Sequence, residues 1–113
     1  MSIIEFDPIE NIQDEKTTLV IIIGTLSSLI NNSITIREAE QLIFSPRTIK
    51  YLKSKNIDEN IIDLIETGCE IEDIYALLPN KYHKYLIEQH NKACALLKSK
   101  TVYESSCWIK FES

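Results

Sequence analysis

Apolar residues recur along most of this chain at the 3.6-residue period of an amphipathic helix. Leu19, Ile22, Ile23, Leu26 and Ile30 fall on one face and predict a helix from about Asp14 to Ile30. Val20 and Ile21 widen that face, so the helix is expected to be central and covered on several sides. Gly24 costs about 1 kcal/mol relative to alanine in a helix interior, which predicts a close crossing by another helix there. Asn31-Asn32-Ser33 ends the element. Thr35 and Glu38 have the spacing of a capping box and start a second helix, with Ala39, Leu42 and Ile43 inward. Ser45-Pro46 reads as an N-cap followed by proline at the first helical position. It opens a helix over 46–55 that points Ile49 and Leu52 inward.

Asp58 is positioned to cap the next helix, with Ile57 able to staple against Ile62 and an apolar stripe of Ile61, Ile62, Leu64 and Ile65. Gly68 stands where a left-handed C-terminal cap is expected. A short helix from Ile71 to Leu78 presents Ile71, Ile74, Leu77 and Leu78, and Pro79 stops it. Asn80 is expected to cap a last helix reaching about Lys98, whose stripe is Tyr82, Leu86, Ala93 and Leu97, with Tyr85 and Leu96 beside it. Outside these helices, Ile3–Phe6 reads as a short strand or an ordered tail. Cys107-Trp108-Ile109-Lys110-Phe111 is aromatic and β-prone. That tail either folds back on the helices or pairs with the first segment. The fold class is therefore mainly α: one domain spanning residues 1–113, a bundle of about six helices with its core over 14–98, an aromatic tail over 101–113, and room for a short strand at one or both termini.

Charge changes this picture most between Arg47 and Asp73. Arg47, Lys50, Lys53 and Lys55 cluster without an acid among them. Asp58, Glu59, Asp63, Glu66, Glu70, Glu72 and Asp73 follow, and no Lys or Arg stands between Lys55 and Lys81. Uncompensated carboxylates so close together repel one another, so their field is a candidate for use. A solvated face on two helices is the ordinary explanation for such a run. Two details favour a site: the opposite-sign partners at i,i+4 that relieve such a face are missing, and Tyr75, a residue type typical of interface anchors, follows Asp73.

The remaining composition mainly excludes. A net charge of −5 argues against nucleic acid as a partner of the whole domain, and the basic stretch 47–55 is where a phosphate could still bind. The most apolar segment, Leu19–Ile30, is too short to cross a bilayer, so no membrane association is expected. The opening Met1-Ser2-Ile3-Ile4-Glu5-Phe6-Asp7 has no basic region and no long apolar run, so no secretory signal is expected. Cys69, Cys94 and Cys107 are odd in number and widely spaced, which fits reduced thiols in a cytoplasm better than a disulfide scaffold.

Catalytic and cofactor chemistry find little support. His90 and Cys94 lie one helical turn apart, His83 shares their face, and Cys69 could add a third ligand, but paired zinc spacings are absent and no metal is expected. No activating base is identifiable for any cysteine, and Glu70 beside Cys69 would raise its pKa. The carboxylates of 58–73 lack the alternating ligands of a calcium loop. With only Gly24 and Gly68, no phosphate-binding loop or nucleophile elbow can form, so neither an enzyme nor a cofactor is expected.

The order of these elements is itself suggestive. Gly24-Thr25-Leu26 with Ser28-Leu29, Glu38-Ala39-Glu40, Phe44-Ser45-Pro46, Ile57-Asp58-Glu59, Gly68-Cys69-Glu70 and Leu77-Leu78-Pro79 resemble a small family of uncharacterised bacterial domains, over roughly residues 14–98. Most of these residues are caps, turns and core positions, so the resemblance implies a fold and carries no catalytic set. In size and charge the chain also looks like the immunity proteins that neutralise bacterial toxins. The leading reading is a cytoplasmic, monomeric binding protein that engages a basic protein, most concretely a nuclease-type toxin. Glu59, Asp63, Glu66, Glu70, Glu72 and Asp73 would supply charge and Tyr75 an anchor. The alternative is a self-associating structural or regulatory module in which segment 46–55 docks on segment 58–73 of a second copy.

Overall fold

The computed structural model describes residues 4–5, 11–100 and 110–111. Among them the chain forms α1 (Asn11–Ile30), α2 (Ile36–Leu42), α3 (Pro46–Ser54), α4 (Glu59–Gly68), α5 (Ile71–Leu77), a 3-10 turn (Pro79–Lys81) and α6 (Tyr82–Lys98). The protein is mainly helical, but the expectation of a six-helix bundle needs correction. Four helices build the body, α1, α3, α4 and α6, whereas α2 and α5 are seven residues each and serve as two-turn connectors. Flanking segments Ile4–Glu5 (β1) and Lys110–Phe111 (β2) pair antiparallel, with Ile4 opposite Phe111 and Glu5 opposite Lys110. The rest of the aromatic tail, with Cys107 and Trp108, lies outside the described residues, as do Ile3 and Phe6.

The local start signals act as their chemistry requires. The Thr35 hydroxyl accepts the Glu38 N–H at 3.1 Å while the Glu38 carboxylate accepts the Thr35 N–H at 2.9 Å. Ser45 caps α3 ahead of Pro46, and Asp58 caps α4 by accepting the Asn60 N–H at 2.9 Å. Two asparagines, not glycines, take the left-handed conformation: Asn32 at φ 57° and Asn56 at φ 55°. After α1 the Ser33 N–H reaches the Ser28 carbonyl at 2.8 Å. After α3 the Ile57 N–H reaches the Leu52 carbonyl at 3.3 Å, which satisfies carbonyls that the helix ends would otherwise leave unpaired.

The core lies where α1 runs along α6, with α4 across both. Leu19, Ile22, Leu26 and Leu29 of α1 meet Ile61 and Ile65 of α4 and Leu86 and Ala93 of α6. Buried Thr18 and Thr25 return their hydroxyls to the carbonyls of Asp14 and Ile21, each at 2.7 Å, so neither leaves a polar atom stranded. An ionic clasp ties the helix ends. Lys100 Nζ lies 2.6 Å from Asp58 and 3.3 Å from Glu15, Glu15 accepts the Asp58 N–H at 2.9 Å, and Lys55 approaches the fully buried Asp14 at 3.7 Å.

Several expectations about packing are overturned. Val20 is half-exposed, so one flank of α1 faces water. No helix crosses at Gly24, where an added Cβ would meet nothing within 4 Å. Gly68 is no left-handed cap: it is buried in the last turn of α4, the C-cap is the right-handed Cys69, and an added Cβ would overlap the ring of Phe44. Leu42 points outward at the last residue of α2 while Ile43, one residue on, is buried. Asn80 sits inside the 3-10 turn, and α6 begins after Lys81 with no side-chain cap. Leu77 and Leu78 are 77% and 45% exposed rather than inward. Leu77 lies six residues after the buried Ile71, roughly 120° off its face, and the chain turns away at Leu78 (φ −134°, ψ 58°) before Pro79.

Candidate functional site

Glu59, Asp63, Glu66, Glu70, Glu72, Asp73 and Tyr75 are all exposed, but the fold sorts them into two groups. Glu59, Asp63 and Glu66 stand on α4 and line a groove shared with Lys53 and Asn56 at the end of α3. Lys53 is the basic residue of segment 46–55 that lines this groove, and no ion pair joins it to Glu59, Asp63 or Glu66 among the described residues. Asp58 leaves the acidic block altogether. Its hydrogen bond with Lys100, and then the backbone N–H of Asn60, hold its carboxyl below the usual value. Lys55 likewise leaves the basic patch, since it approaches Asp14 and covers the ring of Tyr51, 5.2 Å from its centre.

The second group gathers on α5. Glu72 and Tyr75 line a groove of about 550 Å³ with Arg37 and Glu40 of α2 and Tyr82 of α6. Burial, followed by a hydrogen bond to Glu72 and repulsion from Glu72 and Asp73, raises the Glu40 carboxyl above its ordinary value, against the pull of Arg37. Tyr75 packs edge-to-face on Tyr82, with centroids 4.9 Å apart and planes at 73°, which fixes its ring while leaving it 55% exposed. Leu77 and Leu78, at the end of α5 before the 3-10 turn, are exposed as well.

Cys69 joins the two groups. Burial first, then Glu40, Glu66 and Glu70, push its thiol up, so it stays protonated at neutral pH. Sequence reasoning foresaw Glu70 in that role but missed Glu40 and Glu66. Nothing local to Glu40 signals a long-range approach to α5. The only hint is its place next to Ala39, whose burial turns α2 against the core.

A family profile described as a protein of unknown function matches residues 10–110. The chain belongs to the DUF3969 family. This agrees with the resemblance to an uncharacterised domain family, extends its span past the last helix, and assigns no activity. No curated protein and no solved structure matches this chain. The likeness of this DUF3969 member to toxin-immunity proteins rests on size and charge alone.

Two further features bear on its chemistry. Cys94 Sγ lies 3.8 Å from His90 Nδ1, and among the described residues no three His, Cys, Asp or Glu side chains converge as metal ligands would. No helix among them is long and apolar enough to cross a membrane.

Proposed function

We propose that this DUF3969 chain is a protein-binding module acting in the cytoplasm by association rather than catalysis, and that its α5 face receives a basic partner. One observation carries the reading: Tyr75, Leu77 and Leu78 are each exposed on α5 and at its end, in the same short stretch of chain as the exposed Glu70, Glu72 and Asp73. Large apolar side chains left in water stabilise nothing in the monomer, and an apolar centre with a charged border is the anatomy of a recognition patch. The acidic border would steer a basic partner, and the fixed ring of Tyr75 would act as anchor with little ordering left to do. The most concrete form is an immunity protein that covers the cationic cleft of a nuclease-type toxin.

The test pairs the purified chain with the product of the adjacent gene, because an inhibitor is commonly encoded beside its target. Neutralising Glu70, Glu72 and Asp73 together should slow association about tenfold at low salt, with salt erasing most of the difference. Tyr75→Ala should instead speed dissociation, at a cost of about 2 kcal/mol. Unchanged kinetics in all of these variants would remove the α5 face from consideration. A salt-sensitive homodimer in sedimentation, lost on reversing Lys50 and Lys53, would favour the self-association alternative.

A further inference from the structure

A third groove, about 500 Å³, opens where α1 meets the junction of α2 and α3. Ile43 and Leu52 are its buried apolar lining, and Ile21, Leu42 and Tyr51 its more open apolar lining. Leu42 is 60% and Tyr51 42% exposed, large apolar surface that the fold leaves in water. Arg47 is the charged residue of this lining. Lys50 follows three residues later, about 4.5 Å further along the axis of α3 and on the neighbouring turn. Both cations are exposed, and among the described residues no ion pair reaches either. The acids that flank this stretch in sequence are turned elsewhere: Glu40 lines the groove beside α5, and Asp58 is held by Lys100. The fold thus sets a positive, apolar groove on a chain whose net charge is −5.

We infer that this groove docks an acidic segment of a protein partner, which packs a large apolar side chain against Leu42 and Tyr51 while a neighbouring carboxylate pairs with Arg47. The guanidinium fork matches a carboxylate bidentately. Lys50 takes a second carboxylate, so the ligand carries two anions beside an apolar group. A chain of amino acids supplies that combination, and a single small anion does not. Lys55 lies over the Tyr51 ring, 5.2 Å from its centre, which restrains this side chain beforehand and limits the ordering cost of docking. A nucleic acid offers anions but little aliphatic surface, and the net charge opposes a ligand charged at every unit. The α5 face of a second copy matches in charge, but joining two unlike faces is head-to-tail and builds rings or open filaments. This groove shares no residue with the α5 face and carries the opposite charge, so the two can be occupied independently.

The test titrates isotope-labelled full-length chain with the capped peptide Asp-Glu-Leu-Phe-Glu-Asp and follows the NMR spectrum of the chain. At low salt the backbone signals of Leu42, Arg47 and Tyr51 should shift, leaving α5 unmoved. The uncharged analogue, Asn-Gln-Leu-Phe-Gln-Asn, should bind about tenfold more weakly, as should the parent peptide to Arg47→Gln. Leu42→Glu should abolish binding, because it sets a like charge in the apolar lining. Both substitutions stand at exposed positions and should leave the melting temperature unchanged. Neutralising Glu70, Glu72 and Asp73 together should leave peptide binding intact, which separates failure at this groove from failure at α5. Absence of binding, equal binding of the two peptides, or binding retained in Leu42→Glu would overturn the inference. So would larger shifts at these residues with oligothymidylate than with the peptide, or a homodimer in sedimentation that Arg47→Gln dissolves, since the occupant would then be a nucleic acid or a second copy.

Discussion

Replacing each of the two glycines with alanine should move stability in opposite directions. Both lie in helices, where alanine is favoured by about 1 kcal/mol. At Gly24 an added Cβ meets nothing within 4 Å, so Gly24→Ala should keep most of that gain, about 0.5–1 kcal/mol. At Gly68 the same methyl would overlap Cγ, Cδ1 and Cε1 of Phe44, a ring that is 2% exposed and cannot swing into water. Overpacking of this kind costs about 1–3 kcal/mol and here outweighs the propensity gain, because Gly68 sits in the final turn of α4, where the gain is smallest. Gly68→Ala should therefore destabilise by about 1–2 kcal/mol net, lowering the melting temperature by roughly 4–8 °C. Urea denaturation of both variants gives the two free energies directly. A cycle with Phe44→Leu isolates the cause, since trimming the ring should remove most of the Gly68→Ala penalty. If Gly68→Ala stabilises as much as Gly24→Ala, or its penalty survives ring removal, the packing of Phe44 on Gly68 is not what that position requires.

The ionic clasp should be visible in pH titrations of stability. Asp58, lowered from its ordinary 3.8, contributes stability that is present above that value and lost as pH falls through its folded pKa. Asn in its place can still cap α4, so the wild type minus Asp58→Asn difference in urea midpoint should be constant at neutral pH and contract in acid. Lys100 is opposed by burial, but bonds to Asp58 and Glu15 outweigh it and raise it from 10.5. Its contribution is present below that value and lost as pH rises through the folded pKa. Lys100→Met should accordingly converge with wild type in strong alkali. Leu77→Gln with Leu78→Gln should change unfolding free energy by under about 0.5 kcal/mol, whereas Ile71→Ala should cost about 2–5 kcal/mol.

What could be read from the sequence was what is settled within a few residues. Thr35 with Glu38, Ser45 with Pro46, and Asp58 ahead of α4 announce helix starts because each cap bonds a backbone group two or three positions away. Periodicity likewise placed Leu19, Ile22 and Leu26 inside. What failed needed partners distant in sequence. Phe44 decides the role of Gly68, and Lys100, beyond the last helix, removes Asp58 from the acidic run. Glu40 completes the α5 groove from another helix. The seven candidate residues are all exposed, but those of α4 and those of α5 line separate grooves, a division that depends on how α2 and α3 pack and that the charge run alone does not reveal.

The division of labour within α5 explains why the recognition patch falls there. The helix has seven residues, no side-chain N-cap, and a single buried residue, Ile71, with Ile74 half-buried. One such residue contributes about 1.5–3 kcal/mol through burial, little against the ordering cost of seven residues. Its position therefore depends on its neighbours, through Tyr75 on Tyr82 and the turn that continues into α6. An element held this way leaves Leu77 and Leu78 free of packing duties, so they can vary in identity without unfolding the core. What the fold takes from this segment is Ile71, the half-buried Ile74 and the contact of Tyr75 on Tyr82. The exposed apolar residues beside Glu70, Glu72 and Asp73 are thus better explained by an association than by the fold.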